Sequence, residues 1–143
     1  MGRGRSQVGY RNRIETPDFF NCTPLQGKLG EFRGELSTQL VSDSGQLALY
    51  RRLVGTYHYL GYQQATGAQL KYIAYFQDRP IACLSFGPAA WKIAPRDQFV
   101  GWSTEARRQN LPWITNNARF VILPWVQNKC LAWHLLARLA SRL

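Results

Sequence analysis

Planar rings and cations alternate along one stretch of the chain: Trp91-Lys92, Arg96, Trp102, Arg107-Arg108 and Trp113. Indoles stack on nucleobases of any identity while guanidinium and ammonium groups neutralise the phosphates between them, so the interleaving suits a nucleic-acid surface. Arg119, six residues past the last of these indoles, joins the set as a further phosphate-directed cation. The competing assignment uses the same residues for structure, with Trp91 and Trp102 as core anchors and Arg96-Asp97 as an internal ion pair. Three other side chains have the chemistry for catalysis. His58, between Tyr57 and Tyr59, is a candidate general base, yet no partner for it is identifiable in the sequence. Cys130 precedes a helical pattern, where a thiol can act as a nucleophile, although a free cysteine is more often a small buried hydrophobe. His134, Arg138 and Arg142 line up at i, i+4 and i+8, as either a phosphate-contacting stripe or a solvated helix face.

Several chemistries are missing from the pattern. There is no Walker glycine loop, no Gly-x-Ser-x-Gly elbow and no paired acidic cluster, and with eight acids in total Asp97 has no partner for a two-metal nuclease site. The cysteines at 22, 83 and 130 and the two histidines lack CxxC or HxxxH spacing, which argues against zinc and against a disulfide framework. The net charge is +10, from eighteen basic residues of which fourteen are arginine. Guanidinium groups grip phosphate bidentately and stack on bases, so this bias favours a nucleic acid or a phosphorylated partner, with affinity that falls as salt rises.

A length of 143 residues with 45% hydrophobic and 18% charged residues suits one globular domain. The apolar run from Phe120 to Val126 is far short of the ~20 residues that a membrane helix needs. The basic start, Met1-Gly2-Arg3-Gly4-Arg5, leads into polar residues and not into a secretory signal, and reduced cysteines fit a cytoplasmic location.

The elements that must hold these side chains follow from the spacing. Residues 1–33, rich in glycine and arginine and without periodicity, read as a flexible basic arm ahead of a domain over 34–143. Leu36, Thr38 and Leu40 alternate as in a strand, and Asp43 or Ser44 can cap the helix whose apolar stripe is Leu47, Tyr50, Leu53, Val54 and Tyr57, ending near Gly61. Leu70 to Phe76 and Ile81 to Phe86 form an antiparallel hairpin around Gln77-Asp78-Arg79-Pro80, and apolar residues on both faces call for helices on both sides of the sheet. Gly87 to Trp102 has no regular pattern. Thr104 to Asn110 reads as a short basic helix, and Arg119 to Val126 as a strand that loses a neighbour, by a splay or bulge, at Pro124. From Lys129 onward, Leu131, Ala132, Leu135, Leu136, Leu139 and Leu143 make the buried face of a last helix. The fold class expected is α/β of the α+β kind: a mixed, mainly antiparallel sheet with helices on both faces.

Several strings resemble the DruA-type family of bacterial anti-phage (Druantia) and transposase-associated proteins. They are Tyr57-His58-Tyr59-Leu60-Gly61-Tyr62, Leu84 to Lys92 with Ala89-Ala90-Trp91-Lys92, Arg96-Asp97, Gly101-Trp102, Arg107, Asn110-Leu111, Asn116 to Phe120, Ile122 to Val126, Leu131-Ala132 and His134. The resemblance covers roughly residues 34–143, with departures at Cys130 and Trp133, where the family usually has Asn and Ser. It implies a phage-defence or mobile-element role alongside other subunits, and a further strand beyond Leu143, so the chain reads as a C-terminally shortened member. The element order is also similar to the first part of the GCN5-related acetyltransferase fold. That likeness implies an alternative function, acyl or related group transfer to a base or a protein. Leu123, Trp125, Asn128 and Lys129 would then border acetyl-coenzyme A, although the turn at 127–130 has no glycine to let a pyrophosphate approach the backbone.

Overall fold

The computed structural model of the chain describes residues 24–32 and 36–142. Most of the arm expected over 1–33 therefore lies outside the described residues, as do Cys22 and the buried role expected of Leu143.

A pair of short elements opens the described chain, strand β1 (Leu25–Gln26) and the one-turn helix α1 (Leu29–Phe32). Strand β2 (Leu36–Leu40) then leads into helix α2 (Ser44–Tyr57). The cap of α2 is Asp43, whose Oδ1 accepts the Gln46 N–H at 2.8 Å, while the Gln46 side chain accepts the Ser42 N–H at 2.9 Å. The Asp43 carboxylate satisfies one of the amide donors that a helix start leaves unpaired, and the Gln46 side chain reaches back past the cap to Ser42. After α2 the chain turns at Gly61, whose φ of +62° is easy for a residue without Cβ.

The hairpin comprises β3 (Leu70–Phe76) and β4 (Arg79–Pro88), joined through Gln77 and Asp78. Arg79 pairs with Phe76, so the turn is tighter than the four residues expected. The segment that lacks sequence periodicity is in fact ordered. β4 runs on to Pro88, and helix α3 (Ala94–Val100) follows with Pro95 in its first turn and Gly101 at its end, at φ +69°. Helix α4 (Thr104–Asn110) has the expected bounds; Ser103 Oγ caps it by accepting the Ala106 N–H at 3.1 Å. A single 3-10 turn (Leu111–Trp113) precedes strand β5 (Thr115–Ile122).

The strand expected over Arg119 to Val126 is displaced. β5 starts at Thr115 and stops before Pro124, because a proline has no N–H to extend the ladder. Leu123 still donates to the Ile81 carbonyl at 2.9 Å; then Val126 N–H closes a turn on the Leu123 carbonyl at 3.0 Å. The irregularities in register lie not at Pro124 but at Ala74/Tyr75 and Ser85/Phe86. Past the turn, β6 (Val126–Gln127) pairs in parallel with β1, so residues 25–26 of the expected arm belong to a ladder. Helix α5 (Leu131–Ala140) closes the described chain.

The four-stranded sheet has the order β2-β3-β4-β5, antiparallel throughout, with β4 buried from Pro80 to Gly87. Register sorts the side chains onto two faces. Ile73, Cys83 and Val121 share one row and Lys71, Ser85 and Arg119 the next. This face meets α2, whose Tyr50 feels Ser85, Cys83 and Arg119. On the opposite face, Thr38, Ala74, Ala82 and Ile122 form a row, and Arg142, just past α5, donates to Thr38 Oγ1 at 3.1 Å. Helices thus lie on both faces of a mainly antiparallel α+β sheet, as both-sided apolarity required. Leu131, Leu135 and Leu139 of α5 are completely buried in the core, each contributing roughly 1.5–3 kcal/mol relative to exposure.

Candidate nucleic-acid interface

Among the residues singled out for chemistry, Arg96, Trp102 and Arg107 come together around one carboxylate. Asp97 Oδ1 accepts Arg96 Nη2 at 2.7 Å, Arg96 Nε at 2.9 Å and Trp102 Nε1 at 3.3 Å, and its Oδ2 accepts Arg107 Nη1 at 3.1 Å. Arg96 also donates to the Ala90 carbonyl at 2.8 Å, tying the segment before α3 to the helix. Each arginine then lies over a ring: Arg96 is 5.7 Å from the centre of Trp102 and Arg107 5.6 Å from that of Trp91. Desolvation opposes the charge on Asp97, but hydrogen bonds from Arg96, Trp102 and Arg107 outweigh it and hold the carboxyl below its ordinary range. The ion pair weighed as an internal contact is therefore real, and it joins two arginines and an indole in one network.

The rest of this surface is open. Neither α3 nor α4 has a buried residue. Trp91 is 56% exposed and Trp113 87% exposed, so neither is a core anchor, whereas Trp102 is half-buried against the network. Lys92 and Arg108 are exposed and make no ion pair among the described residues. Phe99 on α3, 93% exposed, belongs to the same helical pair and was missed because no periodicity marked α3.

Arg119 belongs elsewhere. It sits on the α2 face of β5, beside Ser85, and lines a small cleft with Tyr50, Tyr62, Gln63, Gln64, Ala65, Gln69 and Ala118. Its Nη1 donates to the Ala118 carbonyl at 2.7 Å and its Nη2 to Gln63 Oε1 at 3.4 Å. Burial pushes the Tyr50 hydroxyl up to about 12. His58 lies within the reach of the same charge: burial, then the Arg119 guanidinium, lowers its pKa. Its Nδ1 accepts the Leu60 N–H at 3.2 Å and its ring stacks on Tyr59, a turn-forming role that favours the neutral imidazole.

The remaining candidates separate further. Cys130 is the exposed N-cap of α5, with a φ of +70°. His134 is half-buried, and it is Trp133, Ala137 and Ala140 that face solvent, so the His134–Arg138–Arg142 stripe flanks the buried face of α5 and is not opposite to it. Leu123 is wholly buried; Trp125 is 4% exposed, packs edge-on against Tyr57 and donates to the Pro80 carbonyl at 2.9 Å, which makes both of them core side chains. Asn128 donates to the Gly27 carbonyl at 2.7 Å, and Lys129 is exposed. No cluster of histidine, cysteine or acidic residues among the described residues can hold a metal ion. None of the described helices is long and apolar enough to cross a membrane.

The comparisons with known proteins agree with the motifs. No curated protein and no solved structure matches the chain. The family described as Druantia protein DruA matches residues 22–143, a span that takes in β1, the α3–α4 surface and the whole four-stranded sheet. The chain belongs to this family, that of a Druantia anti-phage defence protein.

Proposed function

We propose that the α3–α4 surface is where this defence protein contacts nucleic acid, with Trp91 and Trp113 stacking on bases and Lys92, Arg96, Arg107 and Arg108 meeting the backbone. The observation that carries the reading is the exposure of Trp91, with Arg107 over its ring, and of Trp113 just past α4, in a chain whose net charge is +10. Large aromatic rings held in water represent apolar area that folding leaves unburied, and base stacking covers such rings at about 1–3 kcal/mol per base. Asp97 supports this role by holding Arg96 and Arg107 against the rings, so that they are ordered before a ligand arrives. Binding through phosphates and stacked rings does not depend on base identity. Sequence choice therefore falls to other subunits of the defence system, the partners expected of a family member.

The test is fluorescence anisotropy with labelled single- and double-stranded oligonucleotides, DNA and RNA, over a salt series beginning at ~50 mM. Affinity should fall steeply with salt, and intrinsic tryptophan emission should quench on binding. Replacing Trp91 and Trp113 together by alanine should abolish the quench and weaken single-strand binding by roughly tenfold or more. No binding to any of the four ligands at ~50 mM salt would reject the proposal.

A further inference from the structure

The Arg119 cleft is separate from the α3–α4 surface and contains polar atoms that the fold buries without partners. The Tyr50 residue is 1% exposed, and its hydroxyl makes no hydrogen bond of standard geometry. Arg119 Nε is likewise buried and unpaired. Ser85, the buried polar residue of the core, contributes its hydroxyl beside Tyr50. A buried N–H without a partner, next to a phenol whose contact with the Ser85 hydroxyl falls short of a full hydrogen bond, leaves hydrogen-bonding capacity on one cleft that a ligand can take up.

The geometry of the guanidinium specifies that ligand's charge. Nη1 is occupied by the Ala118 carbonyl, while Nη2 makes only a long contact of 3.4 Å to Gln63. The Nε–Nη2 edge is therefore the free fork, the arrangement that takes two oxygens of one oxyanion. No carboxylate pairs with Arg119 among the described residues, and Arg51, which donates to the Tyr62 hydroxyl at 3.2 Å, adds positive charge at the rim. The cleft has a volume of about 120 Å³. That is room for one tetrahedral oxyanion in place of several water molecules.

We propose that the cleft between α2 and β5 binds a phosphate group, held by the Nε–Nη2 edge of Arg119 and by the hydroxyls of Tyr50 and Ser85. Two sources share this chemistry, a free phosphate-bearing small molecule and the terminal phosphate of a nucleic acid. The site is independent of the indole surface, so it stands or falls separately from the function proposed above.

The experiment measures thermal unfolding of the full chain with inorganic phosphate, at an ionic strength held constant with sodium chloride. The wild type should gain a concentration-dependent rise in Tm beyond that given by chloride. Tyr50→Phe is the informative variant, because it removes the unsatisfied hydroxyl. Its Tm without phosphate should equal or exceed that of the wild type, yet its phosphate affinity should fall by about tenfold. Arg119→Gln should lose about tenfold or more, and the Trp91→Ala/Trp113→Ala double variant should keep wild-type phosphate binding. A 5′-phosphorylated oligonucleotide that protects better than its 5′-hydroxyl counterpart identifies the nucleic-acid end as the source; equal protection by the two, with inorganic phosphate still effective, identifies the small molecule. Absence of any shift beyond chloride in the wild type, or shifts in Tyr50→Phe and Arg119→Gln equal to the wild type, would overturn the proposal.

Discussion

Replacing Asp97 by asparagine isolates the carboxylate that holds the α3–α4 network together. The segment 91–113 contains four basic and two acidic side chains, a net charge of +2 that the substitution raises to +3. In the wild type the carboxylate takes two hydrogen bonds from Arg96 and one from Arg107, so part of their charge is compensated within the protein. Asparagine occupies nearly the same volume and keeps an acceptor oxygen, yet leaves both guanidiniums free to neutralise phosphate. If one additional phosphate is engaged, the slope of log K against log salt steepens by about 0.9, so a fourfold rise in salt costs the variant roughly 3.5-fold more affinity than the wild type. Anisotropy titrations between ~50 and ~200 mM salt resolve that difference. The variant should also unfold at lower urea, because two half-buried cations lose their counter-ion. A folded Asp97→Asn protein whose salt slope matches the wild type would refute the assignment of Arg96 and Arg107 to the phosphate backbone.

Three further outcomes follow from the same geometry. The Asp97 carboxyl is held below its ordinary value of 3.8, so its stabilisation is complete above about pH 4 and is lost as pH falls through the folded-state value; acid unfolding curves of the wild type should show this loss, and those of Asp97→Asn should lack it. Trp125→Phe should lower stability by about 2–4 kcal/mol in urea unfolding, since it strands the buried Pro80 carbonyl and leaves space beside Tyr57; a loss below about 0.5 kcal/mol, the range of surface substitutions, would mean that Trp125 is not an anchor. Of the described cysteines, Cys83 is completely buried with its thiol pushed up to about 12, whereas Cys130 is exposed, so a brief maleimide pulse followed by peptide mapping should label Cys130 and spare Cys83 until the protein unfolds.

Local chemistry was legible where it carried a strong signal. The apolar stripe from Leu47 to Tyr57 with its Asp43 cap, the aromatic hairpin, the Ser103-capped α4 and the leucine face of α5 all stand at or near the expected positions. α3 escaped notice because a helix with no buried residue need show no apolar periodicity. The sequence starts β5 four residues late because its polar beginning, Thr115-Asn116-Asn117, is exposed and carries no apolar alternation. The cleft was missed altogether: Tyr50 looked like one more stripe residue, and nothing in its spacing distinguishes a tyrosine that needs its hydroxyl paired from one that merely packs.

The amino-acid sequence by itself determined which side chains are available: an arginine excess, indoles interleaved with cations, and family motifs along most of the chain. It also determined the order of the main elements, because apolar spacing and capping are local properties. Only the tertiary structure decided that Arg96 and Arg107 converge on Asp97 beside the Trp102 and Trp91 rings, while Arg119 is drawn away to line a cleft with Tyr50 on the α2 face of the sheet. The reason is strand register: pairing Arg119 with Ser85 turns it toward α2, and such long-range pairing leaves no mark in the spacing of neighbouring residues.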